Sequence, residues 1–379
     1  MRMKKMWTLA LAALLVAGLA FSATAATFKI GDADFGIAGQ VRLNAGYQVT
    51  DKGDVAPGVS DSETDFALKH PGNSRLSVWS KYDNVTGFIE MGFKEGNVLE
   101  TRHAFLTYDM GGGNSLLIGQ TYSALANHFA EQEMNGSLSL FGFGNLYSGR
   151  VPMIRYIKKG DNYTLNLEIE NTDSADLDID PAPGNEFITD EITPALVGSL
   201  EYRTGGLSLT PSFLVQQYEL KANAAGYDDE RVFAYAVALD AVYKFDSGIQ
   251  LDGEVWYGEN TAIFADAFDM VRGSSFGAPE YEADGSVNDI ASYGGWLQVS
   301  VPIDPGVVHV GGGYQEADVD NRGSASSMER YSAFVSYSYW VTSQFLVQPE
   351  VLYLDYGDSA NEADYGSDTF YGVHFRYCF

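Results

Sequence analysis

Cysteine is almost absent. Cys378, one residue from the end, has no second thiol to meet, so no internal disulfide holds this chain together. Basic residues are scarce as well: 23 Lys and Arg stand against 51 Asp and Glu, a net charge of −28. So acidic a chain excludes nucleic acid, whose phosphates require a basic footprint. The histidines, His70, His103, His128, His309 and His374, lack the paired spacing of a metal site, and no G-x-S-x-G elbow is present. Neither enzymatic activity nor a resident cofactor is expected. Glycines 111–113 are not followed by Lys-Ser/Thr and read as a turn, not a phosphate cradle. Beyond the first 25 residues no run of 18 apolar residues occurs, so a membrane-spanning helix is unavailable.

Those first 25 residues have a different character. Arg2, Lys4 and Lys5 precede "WTLALAALLVAGLAF", and small residues Ala23 and Ala25 follow at A-x-A spacing. This is the pattern of a secretory signal peptide cut after Ala25, too short to serve as an anchor. Its removal takes the net charge from −28 to −31. Residues 26–379 then form one exported domain, with no Pro/Ser-rich linker dividing them.

The apolar residues, 24 Tyr and 22 Phe among them, are spread by alternation. In "FGIAGQVRLNAGYQVT" (35–50), Phe35, Ile37, Val41, Leu43, Ala45, Tyr47 and Val49 share one parity, and Gln40, Arg42, Asn44, Gln48 and Thr50 the other. That is a strand with one oily and one polar face. The pattern returns in "NYTLNLEIEN", "RVFAYAVALDAVYKF" and "ERYSAFVSYSYWVT", and runs to the last residue in "FYGVHFRYCF" (370–379). Ten to sixteen residues exceed the usual strand of a soluble sandwich, about five or six, and suit tilted strands crossing a bilayer. A barrel places the oily face on lipid and the polar face around water. A final strand that pairs with the first leaves no edge in hydrocarbon, which explains a stripe that does not fray.

Short turns near 83–85, 110–114, 159–162, 204–206, 245–249, 303–306 and 342–344 alternate with longer acidic connections at 51–72, 95–98, 122–150, 172–193, 219–230, 260–288, 318–328 and 357–368. Sixteen strands result: 35–50, 73–83, 85–95, 99–109, 114–121, 151–159, 162–171, 194–204, 206–218, 231–245, 249–259, 289–302, 307–317, 329–342, 345–356 and 369–379. The expected fold is all-β, a transmembrane antiparallel barrel. Pro211 and Pro349 fall inside strands, which either weakens those two strand assignments or marks bulges.

With the leader, terminal Phe379 and this loop rhythm in place, the chain resembles the trimeric, sixteen-stranded general porins of Gram-negative outer membranes. "NSRLSVWSK" (73–81), "TRHAFLTYDMGGGNSLLIGQ" (101–120) and "GRVPMIRY" (149–156) resemble that family's second strand, its Arg-x-Ala-aromatic hairpin and the return to the wall after the third loop. The resemblance implies a homotrimer among outer-membrane lipids and lipopolysaccharide, passing small hydrophilic solutes and ions. It also implies that the third loop, 122–150, folds inward and sets Glu131 and Glu133 opposite Arg42, Arg75, Arg102 and Arg155, with Arg150 at the loop's exit. Alternation independently turns Arg42 inward and, less clearly, Arg155. It leaves Arg102 open. The family's Pro-Glu-Phe-Gly-Gly signature is replaced by "SLFGFGN" (139–145). An inward arginine can also be a wall residue paired with a neighbour such as Glu90 or Glu100.

Asp176, Asp178 and Asp180 alternate in a long connection and could bind Ca²⁺, though they lack the glycine and closing glutamate of a helix–loop–helix site. A more diffuse role for such loop acids is to hold divalent cations against anionic headgroups. Two alternatives to general diffusion remain: a channel selective for a small anion such as an organic acid, and a plugged barrel with a structural or adhesive role. The acidic total favours cations at the mouth and constriction arginines favour anions, so ion preference stays open.

Overall fold

A computed structural model describes residues 26–53, 62–71, 73–94, 98–172, 188–221, 229–265, 276–281, 287–318, 327–358 and 364–379. The leader, 1–25, and Asp176, Asp178 and Asp180 lie outside the described residues.

Sixteen wall strands follow one another: β1 (Ala33–Asp51), β2 (Ser74–Tyr82), β3 (Val85–Lys94), β4 (Val98–Gly111), β5 (Asn114–Tyr122), β6 (Arg150–Lys159), β7 (Tyr163–Glu170) and β8 (Ala195–Thr204). The second half comprises β9 (Leu207–Lys221), β10 (Glu230–Lys244), β11 (Gln250–Glu259), β12 (Ala291–Ile303), β13 (Gly306–Asp318), β14 (Ser327–Trp340), β15 (Phe345–Asp355) and β16 (Ser367–Cys378). Each pairs antiparallel with the next. β16 returns to β1 in unbroken register from Gln40 opposite Cys378 to Asp51 opposite Ser367. The sheet therefore closes, and no strand of the wall keeps a bare edge, as a hydrocarbon surrounding requires.

Every strand expected from the alternation is present, with ends displaced by a few residues. Shorter strands that alternation did not reveal also occur. Ser62–Lys69, in the expected polar connection 51–72, pairs with Asn44–Asp51, so β1 changes partner midway along one edge. Ala26–Ile30 folds back on Ala33–Ile37. The prolines mark no bulge: on one edge Pro211 opposes Leu239 and Pro349 opposes Val373 in continuous ladders, and on the other edge the pairing is interrupted beside each, between Ser199/Ser212 and Tyr202/Leu209 and between Ser336/Glu350 and Tyr339/Val347, without a change of register. A proline has no donor for that edge of the ladder, and the register slips elsewhere, at Glu90/Met91 and Asp109/Gly111.

Burial follows the alternation. Val255, Leu297 and Val310 are 61%, 59% and 52% exposed, whereas the neighbouring Glu254, Gln298 and His309 are buried. The inner face is not wholly polar. Leu214, Tyr218, Val232, Ala234 and Ala236 of β9 and β10 form a buried cluster with Leu125 and Leu146 of segment 123–149 and with Ile263, Phe264 and Phe276.

Candidate pore constriction

Arg42 sits where β1 changes partner. The ladder to β2 ends at Gln40 and that to Ser62–Lys69 begins at Asn44. In the gap the Arg42 amide donates to the Ser74 hydroxyl at 2.8 Å. On the opposite edge Arg42 lies across from Arg376 of β16. Two guanidiniums side by side on one face need an anion, and segment 123–149 supplies it. Arg42 Nη1 meets Glu133 Oε2 at 2.8 Å with both side chains buried. Arg376 Nη1 holds the other oxygen at 3.2 Å. The Ser137 hydroxyl donates to Glu133, and Asn44 Nδ2 donates to the Glu133 carbonyl at 3.2 Å. His374 Nε2 lies 3.7 Å from the same carboxylate. Burial works to raise the Glu133 pKa, but Arg42, His374 and Arg376 outweigh it and hold the carboxyl down at about 2.

The other residues expected at the site do not converge on the segment's acids. Arg75 and Arg102 share Glu90 of β3, at 3.3 and 2.9 Å, and Glu90 also accepts from the Ser77 hydroxyl at 2.7 Å. Arg150 pairs with Glu100 at 3.4 Å and donates to the Tyr147 hydroxyl at 3.0 Å, its guanidinium 5.4 Å from the Tyr122 ring centre. Arg155 pairs with Glu168. Glu131 meets none of the five arginines: its amide donates to Gln298 at 2.7 Å, its carbonyl accepts from Gln348 at 3.2 Å, and its carboxylate forms no ion pair among the described residues. The ladder thus divides into local pairs, and Arg42–Glu133 alone joins a foreseen arginine to a foreseen loop acid. Sequence reasoning missed Arg376, which alternation had placed on the polar face of the last strand. It also missed Glu168, Glu254 and Glu350, each a charge beside an apolar outward residue, Ile169, Val255 and Val351.

Segment 123–149 lies against the buried face of strands far apart in the wall. Trp256 Nε1 donates to the Gly144 carbonyl at 2.9 Å, His128 stacks on Trp296 at 5.4 Å between ring centres, and the Ser332 hydroxyl donates to the Phe143 carbonyl at 3.0 Å. Gly144, at φ +116°, rests on the backbone of Gly295 and Gly313, where an added Cβ would come within 2.5 Å of the Gly295 carbonyl. Within the segment Phe141 stacks on Tyr147 at 3.9 Å, and Phe129 packs edge-on against both.

Six inner-face arginines, Arg42, Arg75, Arg102, Arg150, Arg155 and Arg376, come from β1, β2, β4, β6 and β16, with the buried acids Glu90 on β3 and Glu168 and Glu170 on β7 among them, while Arg330 is buried apart from them on β14. Asp240, Asp252 and Glu254 come from β10 and β11, across the ring, and Glu350 from β15, beside β16; none of these four pairs with a lysine or arginine among the described residues. Among the described residues no group of three or more His, Cys, Asp or Glu is placed to hold a metal ion.

No family model and no curated protein matches the chain. Solved structures do. The outer membrane channel DcaP of Acinetobacter baumannii superposes with a TM-score of 0.72 at 20% identity, over 93% of this chain and 100% of that one. An anion-selective porin from Comamonas acidovorans reaches 0.59 at 15% identity, over 92% and 100%. Salmonella typhi OmpF, in complex with daunomycin, reaches 0.58 at 14% identity, over 93% and 100%. At such identities the likeness establishes the fold alone: a closed, sixteen-stranded antiparallel barrel like those of these channels.

Proposed function

We propose that this chain is a porin of the bacterial outer membrane, through which small hydrophilic solutes and ions diffuse passively. In this reading the leader ending at Ala25 directs export, the barrel assembles as a homotrimer among lipids and lipopolysaccharide, and segment 123–149 is an inward-folded third loop that narrows the lumen. Acids of the long connections would hold Ca²⁺ or other divalent cations against lipid headgroups. The observation that carries the reading is the buried pair Arg42–Glu133, which ties an irregular segment to the wall on the face opposite the oily one.

The physical rationale follows from the charges of the inner face, arginines on β1, β2, β4, β6 and β16 and the acids Asp240, Asp252 and Glu254 on β10 and β11. Fixed charges across a narrow wet passage order water there, so polar solutes that replace those contacts cross more readily than apolar ones that only disrupt them. Purified protein in a planar bilayer tests this directly. Stepwise single-channel currents with conductance linear in solute concentration are the expected result; a protein that inserts without conducting is a plugged barrel, and the channel reading falls.

A second reading, selectivity for a small anion, is favoured by the count of guanidiniums. Arg42 and Arg376 share Glu133, and Arg75 and Arg102 share Glu90, so each carboxylate faces two arginines. Conductance that saturates with an organic anion, with a reversal potential on the anion side under a salt gradient, would favour this reading over general diffusion.

A further inference from the structure

Four buried glutamates stand at equal intervals around the wall: Glu90 on β3, Glu168 on β7, Glu254 on β11 and Glu350 on β15, each four strands from the next in a ring of sixteen. None is more than 3% exposed. Glu90 is occupied by Arg75, Arg102 and Ser77. The other three share one feature, for each accepts a backbone amide of segment 123–149. Glu168 Oε1 takes the Ala124 amide at 2.6 Å, where the segment begins. Glu254 Oε1 takes the Leu146 amide at 2.8 Å, near its end. Glu350 holds the middle: Oε2 takes the Glu133 amide at 2.9 Å, and Oε1 takes the Met134 amide at 2.8 Å and Gln132 Nε2 at 2.9 Å.

The two sides of these contacts need each other. A buried carboxylate only accepts, and leaving it without donors is costly. An irregular segment has amides with no ladder partner, and buried amides must be satisfied. A helix or strand would satisfy its own amides, so wall carboxylates are of use at this place because the segment is neither.

We infer that Glu168, Glu254 and Glu350 form a three-point clamp that sets where segment 123–149 lies, and that Glu350 is the positioning residue for Glu133. Glu350 fixes the Glu133 backbone, while Arg42 and Arg376 fix its carboxylate. The inference rests on the constriction reading above. It adds that passage is governed by wall side chains directed at backbone amides, the three carboxylates foremost, with the neutral Ser212, Gln298 and Gln315 accepting the Ala126, Glu131 and Gly144 amides beside them, in addition to the charges that line the path.

The test compares Glu350→Ala with Glu350→Gln in planar bilayers, with heat-dependent gel migration confirming a folded barrel. Gln keeps one accepting oxygen and turns a donor toward the other amide, so it can hold one of the two amides; Ala holds neither. Glu350→Ala is expected to change single-channel conductance by about twofold or more, with noisier open current and a displaced reversal potential, while Glu350→Gln, which keeps one of the two amide contacts, falls between Ala and the parent protein. A folded Glu350→Ala channel with parental conductance and reversal potential overturns the clamp. If Glu350→Ala does not insert, Glu254→Ala releases the far end of the segment and is judged by the same two outcomes. Glu133→Gln separates the readings: if its reversal potential does not move, the constriction itself fails, whereas a shift there with an unchanged Glu350→Ala removes only the clamp.

Discussion

Phe379 and Gly39 exchange backbone hydrogen bonds, the Phe379 amide to the Gly39 carbonyl at 2.9 Å and the Gly39 amide to the Phe379 carbonyl at 2.8 Å. The last residue of the chain is thus a rung of the seam that closes the barrel. Its ring also lies over Gly39, where an added Cβ would come within 2.5 Å of it. Deleting Phe379 orphans both Gly39 groups, at about 1–3 kcal/mol each where water is excluded, and Gly39→Val displaces the ring. Both variants are expected to lose the compact, heat-resistant band on detergent gels at a lower temperature than the parent. Unchanged melting of both would mean that the seam does not depend on its final rung.

Arg42 and Arg376 hold one carboxylate from adjacent strands, so their effects should not add. Removing one partner of a buried pair costs about 3–5 kcal/mol when nothing replaces it, and here the second guanidinium remains. Each single Ala variant should therefore shift the reversal potential modestly towards cations. The double variant should shift it by more than the sum, because Glu133 then faces the lumen without a guanidinium partner. Additive shifts would show that the two arginines do not share Glu133 in the membrane.

Acid should release the segment late. The cations around Glu133 hold its carboxyl down at about 2, against about 4.3 in an unfolded chain. A carboxyl depressed on folding contributes stability that is complete above its unfolded pKa and is lost as pH falls through the folded value. Conductance and selectivity governed by Glu133 should therefore hold from neutrality to about pH 4 and change between about 4 and 2. A transition centred near pH 6 would assign the control of the segment to another group.

Strand positions were legible because a wall that faces lipid on one side and water on the other writes itself as a period of two. Ser62–Lys69 was hidden, since "SETDFALK" carries only Phe66 and Leu68 as apolar markers amid acidic neighbours. Arg42 could be turned inward from its own strand. Its partners could not be named, because Arg42 meets Arg376 through the register of the closing seam, a contact 334 positions away in sequence that no local pattern encodes. The docking of segment 123–149 did leave a trace that went unused. Gly294 and Gly295 in β12, and Gly311 to Gly313 in β13, are glycine runs inside strands, which signal close approach of another backbone. Gly144 rests there. Gly144→Val should unseat the segment and alter conductance without harming barrel closure.

The deepest test concerns which face meets hydrocarbon. Val255 is outward and 61% exposed at the middle of β11, between the buried Glu254 and Trp256. In a molecule surrounded by water, an exposed valine changed to arginine is nearly neutral, because both side chains are hydrated there. In a barrel spanning a bilayer the same arginine must enter the hydrocarbon, at about 2–4 kcal/mol near the midplane. Val255→Arg is therefore expected to lower the stability of the lipid-inserted barrel by that amount in reversible denaturant titration, while Lys244→Arg, at the short-turn end of β10, leaves it unchanged. Equal stabilities for the two variants would mean that the oily face of this sheet does not lie in lipid, and the channel would lose its outer wall.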